Sequence, residues 1–419
     1  MVEVKLSFGF VVVFYVFTAA RLCYTNNNRF PSSHENVEVE KLLNSLNKPA
    51  VKSIKSPDSD IIDCVRISDQ PAFDHPLLKN HTIKMRPIYH PNPVGDNKVS
   101  SMVNATADTH SSSSITQLWH ANGKCPKGTI PIRRTKKEDI LRASSVDSYG
   151  KKKSFIGKSS FIDVELGVTD GHEYAIASTN NGEFYGSKSA LNLWNPQVQE
   201  SNEFSLTQTW VVGGTYDTGL NTIEAGWQVY QRLYGDTNTR LFIYWTSDAY
   251  QKTGCYNLCS GFIQTNNKYA IGGSLSPTSQ TDGTQHEFTI LIWKDPGTRD
   301  WWMQLNGELI GYWPSSLFTH LRKSASMIQW GGEIVNSGSQ GGHTSTQMGS
   351  GQFPKLWYRK ASYVRKVETV DQSNTLYTPE VRTISSEQNC YDILTSITTN
   401  NFWGTHFFYG GPGRNSNCQ

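Results

Sequence analysis

The chain has 419 residues and a formal net charge of only +3, and 18% of its residues are charged. This length allows more than one folding unit, each with a core of ordinary size. The small net charge, with no basic stripe interleaved with aromatic residues, argues against a nucleic-acid partner.

The N-terminus predicts a secretory signal peptide at residues 1–20. An apolar run over residues 6–20 follows Lys5 and ends in small residues. The run is shorter than the about 20 residues that span a membrane, so we expect cleavage, with an uncleaved anchor as the alternative. Cleavage predicts a secreted or vacuolar protein that is not attached to a membrane. The acceptor sequences at Asn80 and Asn104 suit N-glycosylation of such a protein.

Residues 21–160 have a mixed composition that predicts a smaller N-terminal unit. A short helix is expected around residues 37–46, and an extended segment with a basic end covers residues 125–134. The next segment, residues 137–143, is compatible with a helix. The basic run at residues 151–154 is expected to be exposed, either as a solvated linker or as a processing site.

From about residue 161 to residue 419 the sequence predicts strands and turns without a long helix. Many strands without alternating helices indicate an all-β, antiparallel β-sandwich of jelly-roll type. The predicted strands are 174–179, 204–212, 221–230, 240–246, 262–264, 286–294, 301–305, 307–313, 327–335, 358–367 and 402–409.

Two of these strands carry the same pattern in opposite directions. Residues 224–228 read Glu-x-Gly-x-Gln, and residues 329–333 read Gln-x-Gly-x-Glu. Because side chains alternate across a strand, both glutamates lie opposite an apolar, core-facing set. The predicted core residues are Ile223, Ala225, Trp227, Val229, Ile328, Trp330 and Ile334.

One hypothesis is that these two strands are adjacent and antiparallel. It would place Glu224 opposite Glu333, Gly226 opposite Gly331 and Gln228 opposite Gln329. Two carboxylates so placed repel each other and commonly share one proton, which provides one base and one acid for hydrolysis. The glycines would leave room for a substrate backbone, and the glutamine amides could stabilise an oxyanion. The alternative is that each glutamate is an ordinary cross-strand ion-pair partner.

Six cysteines remain when Cys23, near the signal peptide, is set aside, and an even number suits an oxidising compartment. The expected disulfides are Cys64–Cys125, Cys255–Cys259 and Cys390–Cys418. No second Cys or His pair at ligand spacing accompanies the close pair, so we expect neither a metal site nor a cofactor.

Phrases along most of the chain resemble the neprosin family of plant glutamic prolyl endopeptidases. The resemblance covers nearly everything after about residue 60. The phrases that carry it include residues 63–65, 70–79, 125–134, 184–186, 224–227, 244–246, 254–259, 329–333, 348–351 and 409–415.

The resemblance implies that Glu224 and Glu333 are the catalytic pair of a domain at residues 161–419. It also implies that residues 21–160 are an activation peptide, which inhibits the enzyme within the same chain and is removed at acid pH. The implied substrates are peptides or proteins cleaved after proline. Two functions remain as alternatives: a glycoside hydrolase, which also uses paired carboxylates, and a non-catalytic secreted protein that binds peptides or cell-wall carbohydrate.

Overall fold

The computed structural model describes residues 33–93, 115–152, 171–257, 260–338, 341–396 and 400–419. The predicted signal peptide, the predicted domain boundary at residue 160, Asn104 and Cys259 lie outside these ranges. Asn80 is described and exposed. None of the described helices is long and apolar enough to cross a membrane.

Short strands dominate the described residues. The helices are α1 (Ser33–Leu46), α2 (Lys137–Leu141) and α3 (Gln231–Tyr234). The strands are β1 (Ala50–Lys55), β2 (Ile61–Arg66), β3 (Thr116–Gln117), β4 (Thr129–Arg133), β5 (His172–Thr179), β6 (Gly186–Asn192), β7 (Ser205–Gly213), β8 (Asn221–Val229), β9 (Arg240–Thr246), β10 (Ile263–Gln264), β11 (Leu275–Ser276), β12 (Glu287–Lys294), β13 (Trp301–Leu305), β14 (Glu308–Trp313), β15 (Met327–Val335), β16 (Ser362–Val370), β17 (Leu376–Tyr377), β18 (Val381–Ser385), β19 (Asp392–Thr395) and β20 (Phe407–Gly410).

Two large antiparallel sheets form a sandwich, which confirms the predicted all-β fold. One sheet has the strand order β18-β5-β15-β7-β8-β9. The other has the order β10-β14-β13-β12-β6-β16-β20-β19, with β17 paired to β16. Central strand β6 was not predicted from the sequence, because its segment Gly-Ser-Lys-Ser-Ala-Leu-Asn is rich in small and polar residues rather than in the β-branched and aromatic residues typical of strands.

The main core lies between these two sheets. All seven side chains predicted to face the core are buried, and all but Val229 belong to the large central cluster. Two of them also link the sheets through their polar ends. The indole N–H of Trp227 donates to the carbonyl oxygen of Asn192 at 2.9 Å, and that of Trp330 donates to Ser187 Oγ at 2.8 Å. Such bonds satisfy the only polar atom of a buried indole and help to fix how the sheets stack.

The N-terminal part forms a small mixed unit of its own. Strands β1, β2 and β4 make a three-stranded antiparallel sheet, and α1 and α2 lie where helices were expected. The predicted disulfide Cys64–Cys125 is present, with its Cα atoms 5.4 Å apart. Cys390–Cys418 is present as well. Cys255 is disulfide-bonded, but its predicted partner, Cys259, lies outside the described residues.

A buried ionic cluster joins this unit to the sandwich. Asp60 accepts hydrogen bonds from Arg133 Nε at 2.9 Å, within the unit, and from Arg240 Nη1 at 2.6 Å, on β9 of the sandwich. Arg240 is fully buried and also pairs with Asp236. Removing one partner of a buried ion pair costs about 3–5 kcal/mol because it leaves an uncompensated charge. The contact between the two parts therefore includes a buried ion pair whose loss would weaken it.

Two glutamine side chains add hydrogen bonds that imitate strand pairing. The amide of Gln70 accepts from the backbone N–H of Gln264 at 2.8 Å and donates to its carbonyl at 3.1 Å. Gln117 does the same with Ala270, both at 2.7 Å. Strand β3, which contains Gln117, also pairs with β11 of the sandwich. These bonds occupy backbone groups that would otherwise need water or another partner.

Candidate active site

The two motif strands are not adjacent, so the predicted pairing of β8 with β15 is wrong. Strand β7 lies between them and is antiparallel to both. Two strands that are each antiparallel to the same neighbour run parallel to each other. The sequence of β7, Ser-Leu-Thr-Gln-Thr-Trp-Val-Val-Gly, contains no mirrored motif, and nothing local in β8 or β15 indicates that a third strand separates them.

This strand order changes which residues stand opposite each other. Through Trp210 of β7, Glu224 lies in register with Gln329. Through Leu206, Glu333 lies in register with Gln228. Directly opposite residues point to the same side of a sheet, so both glutamates still face the same way, at diagonal corners of a patch on three strands.

Gln208 occupies the centre of this patch, between Gly226 and Gly331 in the middle row. The predicted role of these glycines as space for substrate needs correction. A Cβ at Gly226 would collide with the β7 backbone at Thr207, and one at Gly331 would collide with the β5 backbone at Ala175. Gly331 also has a φ of +139°, which side chains rarely allow. The glycines therefore let neighbouring strands approach closely.

Glu224 is fully buried and has three hydrogen-bond partners. Its Oε1 accepts from the hydroxyls of Tyr250 at 2.8 Å and Thr222 at 2.9 Å. Its Oε2 lies 2.5 Å from the ammonium nitrogen of Lys152. One oxygen is thus held by neutral groups of the sandwich, and the other by a cation from the N-terminal side of the chain.

Glu333 is 2% exposed and is surrounded by different donors. Its Oε1 lies 2.6 Å from His172 Nδ1 and 3.4 Å from the hydroxyl of Tyr174, and its Oε2 accepts from Gln208 Nε2 at 3.2 Å. Burial alone would raise the pKa of Glu333. The charge of Lys152 and the bonds from His172 and Tyr174 outweigh burial, so the pKa is lowered.

Lys152 was expected to be exposed as part of a basic linker, and that expectation is wrong. Its side chain is only 8% exposed, and its ammonium group lies over the rings of Tyr244 and Tyr250, 5.1 and 5.5 Å from their centroids. Burial lowers its pKa, but Glu224 and Glu333 more than reverse this, so the pKa is raised. The two carboxylates therefore act on one buried cation.

The chain next to Lys152 also follows the sheet face. The backbone N–H of Lys152 donates to Tyr244 Oη at 3.2 Å, and the carbonyl of Gly150 accepts from the N–H of Tyr256 at 2.7 Å. Tyr149 packs against the aromatic cluster of this face, and burial raises its pKa to about 12. Residues 149–152 thus occupy the surface in front of Glu224.

The two predicted supporting glutamines do not hydrogen-bond to the glutamates. Gln228 donates to Tyr234 Oη at 2.7 Å, and Gln329 donates to Ser178 Oγ at 3.3 Å. The amide that reaches a glutamate belongs to Gln208, which lies inside a strand that was predicted. Sequence reasoning missed it, together with His172, Tyr250 and Lys152, because each comes from a different segment of the chain.

Within the described ranges, one group of side chains has the spacing of metal ligands: His343, Cys390 and Cys418. The two sulfur atoms are joined in a disulfide, so they cannot bind a metal as thiolates. The carboxylates of Glu224 and Glu333 are instead held by protein donors.

Family models match both parts of the chain. A model described as Neprosin matches residues 201–412, and one described as Neprosin activation peptide matches residues 53–178. The second match extends through most of β5, the strand that carries His172 and pairs with β15.

Several solved structures are similar to this chain at low identity. One is Scytalido-glutamic peptidase with a peptide-based transition state analog, at 10% identity, covering 57% of this chain and 98% of that chain, with a TM-score of 0.31. Another is SCP-B, a member of the Eqolisin family of peptidases, with the tripeptide Ala-Ile-His, at 9% identity, 58% and 98% coverage and a TM-score of 0.30. A third is CG-16, a homodimeric agglutinin from chicken liver, at 9% identity, 38% and 91% coverage and a TM-score of 0.21.

Proposed function

Because the chain belongs to the neprosin family, we propose that it is a glutamic endopeptidase made as a latent zymogen, with Glu224 and Glu333 as its catalytic pair. One observation carries the proposal. Two buried carboxylates face the same side of one sheet, and a largely buried lysine from the region of the activation peptide pairs with one of them, Glu224.

The chemistry needs one ionised and one protonated carboxylate. The ionised group takes a proton from water, and the water oxygen attacks the peptide carbonyl. The protonated group polarises the carbonyl oxygen and then gives its proton to the leaving nitrogen. Once Lys152 is withdrawn, two buried acids on one face favour the state with a single proton, because a second negative charge there is opposed by the first.

Lys152 provides latency in two ways. Its ammonium group occupies Glu224 Oε2, the oxygen that no sandwich side chain holds in the contacts described above. The charge of Lys152 also acts to lower the pKa of Glu333, so the pair is less able to hold the proton that the reaction needs. Residues 149–152 meanwhile hydrogen-bond to Tyr244 and Tyr256, where the backbone of a substrate could otherwise bind. The activation peptide is thus proposed to be an intramolecular inhibitor.

Acid pH is the proposed trigger for release. Burial raises the pKa of Asp58, but hydrogen bonds from Ser274 and Ser56 and the charge of Arg240 lower it overall. A carboxylate with a lowered pKa stabilises the attached state at neutral pH, and this stabilisation is lost as the pH falls through that lowered pKa. Protonation of Asp58 would remove its ionic contact with Arg240 and so weaken the attachment, and cleavage between residues 153 and 170 would complete activation.

We propose cleavage after proline on two grounds: membership of the neprosin family, and the aromatic side chains on the sheet face that carries the two glutamates. The face around the glutamates is lined by aromatic rings, which suit the flat, apolar ring of proline. The tyrosines packed on this face are Tyr149, Tyr174, Tyr216, Tyr230, Tyr234, Tyr244, Tyr250 and Tyr256. The first of these would leave with the activation peptide, which would open a space in the aromatic cluster.

The decisive experiment is an activity assay on protein treated near pH 3. Wild-type protein, Glu224→Gln and Glu333→Gln would be incubated with proline-containing peptides and, separately, with plant-wall polysaccharides. The proposal expects a shortened wild-type chain that cleaves the peptides after proline, and two inactive variants. Turnover of polysaccharide alone, or peptide cleavage that survives in both variants, would overturn it.

A further inference from the structure

We propose that His172 is a positioning residue that holds Glu333 as the ionised base and thereby leaves Glu224 as the proton donor. This inference rests on the proposed catalytic pair and assigns a role to each member. No motif in the sequence marks His172, and it lies inside the segment matched as activation peptide.

Strand pairing brings His172 to Glu333. In the pairing of β5 with β15, Tyr174 stands opposite Glu333 and His172 stands opposite Val335. His172 and Tyr174 are two residues apart, so they share the face of Glu333. His172 Nδ1 then lies 2.6 Å from Glu333 Oε1.

The imidazole ring of His172 is fixed by its neighbours. Phe204 meets it edge-on, with ring centroids 5.6 Å apart, and Tyr174 lies parallel at 6.4 Å. Its side chain is only 13% exposed. A ring held in this way presents the same nitrogen to Glu333 at each turnover, as a positioning group must.

The two glutamates differ in what remains after the activation peptide leaves. Glu224 loses Lys152 and keeps the neutral hydroxyls of Tyr250 and Thr222. Glu333 keeps His172, which belongs to the catalytic sheet and whose hydrogen bond and charge act to lower the pKa of Glu333. Glu333, whose pKa is lowered, is therefore the member of the pair that stays ionised, and the role of proton donor is left to Glu224.

Other titratable groups act on this face from several elements. Tyr174 of β5 and Tyr216, in the turn before β8, are neutral at acid pH, since burial and the nearby glutamates raise their pKa. Glu173 points to the opposite side of β5 and pairs there with His343. Among the contacts of Glu333 that the described residues show, the one with His172 thus remains as the basic partner once Lys152 has left.

With this assignment, every proton that moves during the reaction is accounted for. Glu333 takes one proton from water as the new C–O bond forms. Glu224 gives its proton to the amide nitrogen as the C–N bond breaks. The proton on Glu333 then returns to Glu224, through solvent, when the products leave. No group outside the pair is consumed.

The test compares acid-processed wild-type enzyme with His172→Asn, which keeps an N–H donor near the Nδ1 position but cannot carry a charge. Without the cation Glu333 binds a proton more readily. We expect the acid limb of kcat/KM against pH to move upward by about one pH unit, since a nearby opposite charge shifts a carboxyl pKa by about 1–3 units. At the acid optimum kcat should fall about tenfold, with little change in KM. His172→Phe, which removes the donor as well, should lose more activity.

His343→Asn is the matched control, because it removes a second histidine of similar side-chain exposure, 10%, which pairs with Glu173 on the opposite face of the same strand. Its acid limb should coincide with that of wild type. A His172→Asn profile that superimposes on wild type, or an equal shift in His343→Asn, would overturn the assignment.

A measurement on wild-type protein covers the case in which His172→Asn does not fold. The imidazole nitrogen resonances of His172 can be compared by NMR in wild type and in Glu333→Gln at the same acid pH. They should shift in the variant, because the contact of Nδ1 with a carboxylate is replaced by one with a neutral amide; unchanged resonances would contradict the pairing. Failure of the proposed function itself would look different, since wild-type enzyme would then be inactive on peptides whatever residue stands at position 172.

Discussion

Replacing Lys152 with methionine should weaken latency. Methionine keeps most of the length and the apolar stem of the side chain but has no charge. In the variant, Glu224 loses the cation on Oε2 and keeps Tyr250 and Thr222 on Oε1. The attached state of the activation peptide is therefore destabilised, whereas the released state, in which Lys152 is in water, is not.

The size of the effect follows from the burial of the pair. Both side chains are at least nine-tenths buried, and loss of one partner from such a pair costs about 3–5 kcal/mol. The lower end applies, because Thr222 and Tyr250 still hold the other oxygen of Glu224. One pH unit corresponds to about 1.4 kcal/mol for each proton taken up. If release takes up two protons, a loss of about 3 kcal/mol raises the pH midpoint of activation by about one unit.

The assay follows conversion of the full-length chain as a function of pH. Samples would be held at pH values from 3 to 7, and both chain length and cleavage of a fluorogenic proline peptide would be measured. Lys151→Met is the matched control, because Lys151 is the exposed neighbour of Lys152 and carries the same charge. We expect the Lys152→Met midpoint to lie about one pH unit above those of wild type and Lys151→Met.

Two results would refute this reasoning. One is a Lys152→Met chain that activates at the same pH as wild type. The other is an equal upward shift for Lys151→Met, which would show that net charge of the segment, rather than the buried contact, controls activation.

Three further predictions concern the rest of the molecule. Glu224→Gln and Glu333→Gln should each reduce peptide cleavage by about 10²–10⁴-fold. The double variant should be little worse than either single variant, because groups that act as a unit are not additive. A single variant that keeps about a tenth of wild-type activity would exclude its glutamate from the pair. Asp60→Asn should raise the activation pH and lower the Tm of the zymogen but not the Tm of the processed enzyme. Asp63→Asn, whose partner Arg134 lies within the N-terminal unit, should leave the activation pH unchanged. Equal activation pH midpoints for the two variants would argue against a role for the buried ionic cluster around Asp60. Cys390→Ser opens a disulfide of sequence separation 28 and should lower the free energy of unfolding of the processed enzyme by about 3–4 kcal/mol. Denaturant titration under non-reducing conditions would measure this change. An unchanged denaturation midpoint would show that the tail is held by its packing alone.

Several features could be predicted because they depend on local pattern. Alternation of apolar and polar residues in β8 and β15 identified both strands and their core-facing sides, since a side chain's face is set by its position along the strand. The same alternation placed Glu224 and Glu333 on the opposite face. The cysteine spacing identified two disulfides that the structure contains, and the family phrases identified the two-part organisation that both family models match.

Tertiary structure alone decided how these elements meet. The position of β7 between β8 and β15 depends on pairing across the whole sheet, and no residue in either motif encodes its neighbour's identity. For the same reason Gln208, His172 and Lys152 entered the site unpredicted. Each is ordinary in its own segment, and its role comes from contacts with residues about 70 to 160 positions away. Strand alternation fixes which way a side chain points, but only the folded chain fixes what it meets there.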